Sequence, residues 1–551
     1  MKSQEIVSTH REGVSIIIPP TQNYGDLSRL LQTFTDKNSY HPLELIIAAP
    51  EDTKQFNNAI DQFKLKYFIM PVKHLVKEKA AFLNRAAAEA VYPNLLFINS
   101  AIIYTDNILP LALRKLNNPL IGLVGIRLNE FNTKDPNGDK ILQAGITVRW
   151  NNRKEQFEPV PVSRKHLSAA EYYKNRNYLA VNSSFLLCRK KDYLNVGGFN
   201  EKLEPGLADL EFCLRLQTEL KKVCYCLNEK CLHLPCSEIS DEMYLKNKPD
   251  NINSQPKKLD ANKKPDSNNV ISKLSGKIAV VAHVYYFEQW AYLARLIKNI
   301  PFQFQLYVTM PENSKLSDQK TITDYFPDAK IILHPNLGRD IAPFLEVLPT
   351  IAENDYELVC KVHTKKDDPI YGDAWRRLML QSTLGKEDLV RLILEKFTEN
   401  PDLGMVGPLQ LYKSGRSLMY DNLANIKKIR QFIPEKQPLP ADWGFFPGSC
   451  FWARPDALLP LAKAVRQLIY EDDNTKSDGQ LAHAIERLFG LAIMEAGKII
   501  GLVSSPPGKN SKFEMKVIKP PGNPSSEYVE QTIPFYIRQN LTGYQPEVKS
   551  L

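Results

Sequence analysis

Long buried-type runs alternate with amphipathic stretches along this chain, and they do so twice. The first block opens on "VSIIIPP" (Val14 to Pro20), followed by a helical stretch and then "LELIIAAPED" (Leu43 to Asp52). The second opens on "KIAVVAHVYY" (Lys277 to Tyr286), a helix around "FEQWAYLARLIKNI", and "FQLYVTMPEN" (Phe304 to Asn313). Apolar runs without period-two alternation, separated by amphipathic helices, predict parallel strands covered on both faces. Each block then has an Asn-containing turn into a helix, near Asn84 and near Asn336 in "NLGRDIAPFLEVL", and a third core strand, "NLLFINSAI" and "ELVCKVHTKK". Late in each block a small-residue strand precedes an acidic residue opening a helix, "LADLEFCLRL" in one and "SDGQLAHAIERLFG" in the other. The matching order points to duplication of one α/β fold.

Between the blocks, "SEISDEMYLKNKPDNINSQPKKLDANKKPDSNNVISKLSG" is rich in Lys, Asn, Asp, Ser and Pro. Such a stretch buries too little apolar surface to fold alone. The expected organisation is a first domain over 1–236, a flexible linker over 237–276, a second domain over 277–503 and an extended tail over 504–551.

Composition narrows the field. The chain has 551 residues, 43% hydrophobic, enough for two large cores. Its 71 basic and 62 acidic residues give a net charge of +9, which suits anionic small substrates or an anionic membrane surface. The excess is too diffuse to indicate nucleic acid. No run approaches the ~20 apolar residues of a membrane span, and the N-terminus has no leader-like segment. Scattered cysteines fit a reducing compartment. A cytoplasmic protein, at most peripheral to the inner face of a membrane, is expected. Cys224, Cys226, Cys231, His233 and Cys236 lie close together without a paired C-x2-C knuckle, so structural thiols are favoured over zinc.

The chemistry concentrates at the end of "ELVCKVHTKKDDPIYGDAWRR", where a core strand breaks into His363, Lys365, Lys366, Asp367 and Asp368. Open α/β sheets keep their ligands at such strand ends. Lysine and arginine bind phosphate oxygens directly. His363, Lys365 and Lys366 are therefore expected to face a diphosphate, partly replacing a metal. Asp367 and Asp368, with His233 elsewhere, keep a Mg or Mn site open, although no cofactor is required by the motif. In "NLGRD", Gly338 permits a tight turn that presents Arg339 to phosphate. Asp340 either caps the following helix or contacts sugar or ribose, with Asn336 beside it. Asp478 is either a catalytic base or a helix cap, and Asp209 is its counterpart in the first block. Trp375 and Trp452 either stack on a ligand or fill core. Of Arg376 and Arg377, one is expected to bind phosphate and the other to coat a helix.

The first block resembles the family 2 glycosyltransferases of GT-A fold. The resemblance rests on "VSIIIPPTQN", the Asn84 turn, "LQAGITVRW", "NVGGFNEKLEPGLADLEFCLRL" and "CLHL". It departs from them where they carry acidic residues: Ala48, Ala49 and Pro50 end the second strand, and Asn99, Ser100 and Ala101 stand where a metal motif is usual. The second block resembles the rhamnan synthesis F family through "NLGRDIAPFL", "VCKVHTKKDD", "YGDAWRR", "GMVGP", "GSCFWARPDALLPL" and "DGQLAHAIERLFG". These resemblances imply two GT-A-like domains with mainly parallel sheets. They imply inverting transfer of a hexose, such as rhamnose or another deoxysugar, from a nucleotide diphosphate sugar to a growing surface polysaccharide or polyprenyl-diphosphate-linked glycan. Two alternatives stand beside this reading: a non-catalytic carbohydrate-binding scaffold, and a bifunctional enzyme with both domains active.

Overall fold

The computed structural model describes residues 13–19, 21, 23–49, 67–71, 79–131, 141–162, 176–234, 274–366, 368, 370–434, 437–471, 478–504, 513–518, 524–527 and 529–542. The chain divides into two compact units. One comprises Met1–Ser254, Asp368–Gly372 and Ile537–Tyr544; the other comprises Gln255–Asp367, Asp373–Tyr536 and Gln545–Leu551. The expected linker lies outside the described residues up to position 273.

Each unit is built on a mixed α/β sheet. In the first, the strands Tyr67–Pro71, Leu43–Ala49, Val14–Ile18 and Asn94–Ile98 run parallel in that spatial order. Phe185–Arg189 then enters antiparallel, and Ile121–Glu130 and Val223–His233 follow, parallel to each other. In the second, Lys330–His334, Phe304–Pro311, Ile278–His283 and Leu358–His363 are parallel. Phe451–Ala453 enters antiparallel, followed by Leu403–Pro408 and Ile499–Val503. Chain order and direction correspond strand for strand over these seven positions, as duplication predicts.

Four elements depart from the expected layout. The strands Tyr67–Pro71 and Lys330–His334 sit outermost and make the predicted third strands the fourth in chain order. Lys330–His334 is short and only partly buried, so it lacks the apolar run that marks central strands. The tail is not simply extended: Met515–Ile518 pairs antiparallel with Ile499–Val503, and Val529–Thr542 is a helix that buries Ile533, Tyr536 and Ile537. Its apolar positions have helical spacing, which the surrounding prolines obscured.

The core beneath the second sheet explains where its chemistry sits. Helix Ile341–Glu353 packs with Pro455–Val465 and Leu481–Glu495 on one apolar cluster. Phe344, Phe451 and Phe489 meet there edge to face, with centroids 5.2–6.0 Å apart. Strand Leu358–His363 lies over this cluster with all six residues buried. Two of the six are basic, Lys361 and His363, whereas the corresponding strand Asn94–Ile98 of the first unit has no ionisable residue.

Candidate active site

The parallel strands Ile278–His283, Phe304–Pro311, Lys330–His334 and Leu358–His363 end together, and the turn Gly448–Cys450 that leads into the antiparallel strand Phe451–Ala453 lies beside His363. His283 and His363 are register partners. The turn after His334 places Gly338 and Arg339 in left-handed backbone, at φ 66° and 56°. Glycine is required at the first of these: a Cβ on Gly338 would lie 2.5 Å from that of Ala342 and 2.6 Å from the Tyr470 ring.

Asp340 follows, just before helix Ile341–Glu353, but its side chain does not cap that helix. Its Oδ2 accepts from Lys361 Nζ at 2.5 Å and from Ser449 Oγ at 2.8 Å, with His363 Nε2 at 4.0 Å. Lys361 is 1% exposed. Its ammonium also donates to the carbonyl of Ser449 at 3.1 Å and lies near Oγ of that residue at 2.9 Å. A lysine so deeply buried requires this enclosure by acceptors. Burial works against ionisation of Asp340, yet Lys361 and His363 outweigh it and hold the carboxyl well below the usual range.

His363 has a geometric signature of its charge state. Its Nδ1 faces the carbonyl of Thr364 at 3.1 Å and its Nε2 that of Gly448 at 2.7 Å. Carbonyl oxygens only accept, so the imidazolium, with a donor on each nitrogen, is the form that satisfies both contacts. Burial opposes this, but Asp340, joined by the hydrogen-bonded Cys450 thiol, overcomes it and raises His363 to about 9. His283 goes the other way: burial first, then the neighbouring cations, lowers it to about 3, and its Nδ1 meets Thr309 Oγ1 at 3.0 Å.

Asp478 anchors a second cluster. The cap of helix Leu481–Glu495 is Gln480, and Glu471 accepts from Leu481 N–H with both oxygens at 3.0 Å, so Asp478 is not the helix cap. Arg487 reaches Asp478 at 3.2 Å and Asn422 Nδ2 donates to it at 2.8 Å, while His483 Nδ1 stands 4.0 Å away. Burial, then the Arg339 guanidinium, lowers His483 to about 4. Burial raises the Glu486 carboxyl, against Arg487 and with Asp340; Glu486 accepts from Gly448 N–H at 2.7 Å. Arg339 and Glu486 thus couple the Asp340 and Asp478 clusters electrostatically.

The remaining expected site residues divide. Lys365 Nζ stands 4.0 Å over the Trp375 ring, and Arg376, buried, donates to the Lys365 carbonyl at 3.1 Å and lies 3.9 Å from Asp373. Arg377 lies near the Tyr292 ring. Lys366 and Asn336 are exposed. Trp452 is a correction: it is 0% exposed and its indole N–H donates to the carbonyl of Thr383 at 3.0 Å, which makes it core. Asp368 accepts from Ile370 and Tyr371 N–H at 2.8 and 2.9 Å, closing a turn. Asp367 lies outside the described residues. His233 is buried against the carbonyl of Leu234, and burial lowers it. Cys224, Cys226 and Cys231 are buried free thiols; Cys236 lies outside the described residues. Among the described residues, no three His, Cys, Asp or Glu side chains converge as metal ligands. Sequence reading passed over Lys361, Ser449 and Arg487. Lysine inside an otherwise buried strand was the signal available for the first.

In the first unit Asp209 is buried and accepts from Ser183 N–H at 3.0 Å and its hydroxyl at 3.1 Å. Burial raises its carboxyl, against Lys79 and Ser183. The Asn99–Ala101 turn closes on itself: Asn99 Oδ1 accepts from Ala101 N–H at 2.8 Å. Asn84 braces the Gly197–Phe199 turn through both backbone groups of Phe199.

Comparison with known proteins adds relatives for part of the chain. It is 29% identical over 260 residues to the uncharacterized protein WxcX of Xanthomonas campestris pv. campestris, covering 44% of this chain and 36% of WxcX. It is 26% identical over 242 residues to the O-antigen biosynthesis protein RfbC of Myxococcus xanthus, covering 41% of this chain and 18% of RfbC. The chain thus spans well under half the length of these relatives. Among solved structures, GalNAc-T7 with UDP, GalNAc and Mn2+ overlays with a TM-score of 0.32 at 12% identity, over 40% of this chain and 43% of that one. S. aureus TarS 1-349 overlays with a TM-score of 0.29 at 15% identity, over 40% of this chain and 60% of that one. Residues 237–497 of the chain match the family model of Rhamnan synthesis protein F.

Proposed function

We propose that the protein is a glycosyltransferase of surface-polysaccharide assembly. Its second unit would move a hexose, rhamnose or another deoxysugar, from a nucleotide diphosphate sugar to a growing or lipid-linked glycan with inversion. The observation that carries this reading is the gathering of cations at the strand ends: Lys361 and His363 meet one carboxylate, Asp340, and Arg339 stands on the left-handed turn directly before it. A departing diphosphate develops negative charge, and preorganised cations in a water-poor site stabilise it most. The family match and the printed role of RfbC in O-antigen biosynthesis support the substrate class.

In the proposed reaction the bond between the anomeric carbon and the diphosphate oxygen breaks, its electron pair leaving with the diphosphate. Arg339 and the His363 imidazolium face that charge, with Lys365 and Lys366 at the rim. Arg376 steadies Lys365 by holding its carbonyl. The acceptor hydroxyl attacks the opposite face and gives its proton to Asp478, which Arg487 and Asn422 orient. The Asn99–Ala101 turn favours a first unit that binds acceptor rather than donor. A lipid-linked acceptor would place the chain at the cytoplasmic face of a membrane. Helix Leu423–Arg430 supports this, exposing Leu423, Lys427 and Lys428 near exposed Tyr420 and Phe432. Among the described residues no helix is long and apolar enough to cross a membrane.

The test is a screen of nucleotide sugars for transfer and hydrolysis, with and without chelator, alongside calorimetric titration of nucleoside diphosphates. The expected outcome is one preferred donor. Asp478→Asn should lower kcat by about 10²–10⁴, and Asp209→Asn should leave the first addition intact. Absence of any nucleoside diphosphate affinity would instead support a scaffold, and loss of one of two additions in Asp209→Asn a bifunctional enzyme.

A further inference from the structure

The Asp340 carboxylate is held in an unusual way. Lys361 Nζ, Ser449 Oγ and His363 Nε2 all face the same oxygen, Oδ2. Oδ1 has no protein partner among the described residues and is not sealed from solvent, the side chain being 17% exposed. Ser449 is itself constrained, in left-handed backbone at φ 43° directly after Gly448 at φ 86°. Its conformation turns the carbonyls of Gly448 and Ser449 onto His363 and Lys361, respectively, while its hydroxyl meets Asp340. A strained non-glycine residue persists where its surroundings over-determine it, commonly at a ligand site.

We infer that Lys361 and Ser449 are positioning residues that clamp one oxygen of Asp340 so that the other accepts a hydroxyl of the sugar nucleotide. The ligand group is a hydroxyl rather than a phosphate, because a carboxylate oxygen accepts from O–H and repels an anion. Ribose and hexose both offer that chemistry. The cations on the far side of Asp340 keep it ionised, and a charged acceptor discriminates strongly against a ligand lacking the hydroxyl. Lys361 and Ser449 touch no ligand in this scheme; they act through Asp340.

This inference rests on the donor-binding reading above. Its test separates the two by titrating the full-length chain with inorganic pyrophosphate, with UDP, GDP and dTDP, and with their hexose and rhamnose conjugates. Ser449→Ala keeps every charge and, with thermal melting as the folding control, is the decisive variant. The ratio of its affinity for the hydroxyl-bearing ligand to that for pyrophosphate should fall about tenfold, the scale of one hydrogen bond to a charged group. Asp340→Asn should lower the same ratio, and Lys361→Arg should restore more of it than Lys361→Met. A fall already present with nucleoside diphosphate assigns the hydroxyl to ribose; a fall only with the conjugate assigns it to the sugar. A wild-type chain that binds none of these ligands overturns the donor-binding reading itself. A wild type that binds them, with variants that keep the ratio or lose all ligands equally, overturns the positioning role alone.

Discussion

Replacing Lys361 by methionine keeps most of the side chain's length and apolar contact but removes its charge. The wild-type ammonium is enclosed, 1% exposed, and is bonded to Asp340 at 2.5 Å and to Ser449 at 2.9 and 3.1 Å. Removing one partner of a buried pair costs about 3–5 kcal/mol, because the other charge remains without compensation. Two features pull the expectation to the lower end. Asp340 keeps the His363 imidazolium at 4.0 Å, where opposite charges attract by about 4 kcal/mol at an effective dielectric constant of ~20. Its side chain also reaches solvent over 17% of its surface. The expected loss is about 3 kcal/mol, or about 6–12 °C in the melting of the second unit. Asp340 titrates below its unfolded value, so its contribution is present above about pH 4 and is lost as pH falls through its lower folded value. The deficit of Lys361→Met is therefore largest at neutral pH and narrows on acidification, as Asp340 takes up a proton and the uncompensated charge disappears. Calorimetry of wild type, Lys361→Met, Asp340→Asn and the double variant from about pH 2 to pH 8 checks this. The double variant should be more stable than Lys361→Met at pH 7. A single variant melting within a degree of wild type, or a double variant no better than the single, would refute the reasoning.

Three further outcomes follow from the same geometry. His363 is raised from 6.5 to about 9, so its stabilisation is complete below pH ~6.5 and fades as pH rises through 9; the change is at most about 3 kcal/mol, and His363→Gln should flatten it in pH-dependent denaturant titrations. Gly338→Ala meets both a left-handed φ of 66° and a 2.5 Å contact with the Ala342 Cβ; it should lower the melting temperature and weaken nucleoside diphosphate binding together, through the displaced Arg339 turn. Trp452→Phe should lose about 1–3 kcal/mol by leaving the Thr383 carbonyl without its indole donor, while calorimetric nucleotide affinity stays within twofold of wild type.

Hydrophobic patterning made the central architecture legible: the central strands Val14–Ile18, Asn94–Ile98 and Ile278–His283 are wholly buried and mostly apolar, and both sheets are built around such runs. The edge strands were not, because a partly exposed strand such as Lys330–His334 has no period that separates it from a loop. The site was legible by region and less so by residue. A strand ending in "HTKKDD" marks the carboxyl end of a sheet, but charge density in sequence selects the exposed residues, and Lys366 proves exposed. Position within the strand identifies the enclosed ones. Lys361 follows Cys360 and precedes Val362 in a strand covered on both faces, so it has no route to water and must meet a carboxylate. The partner comes from the loop before the previous helix and the second acceptor from a turn 88 residues later, separations that no local motif encodes. Asp340 was ambiguous for the same reason: an aspartate before a helix reads as a cap, and only the buried lysine opposite it shows that the carboxylate turns away from the helix. In a duplicated α/β fold, a charge in the central strand of one copy where the other has no ionisable residue is thus a better guide to where buried polar groups converge than the charged tail beyond it.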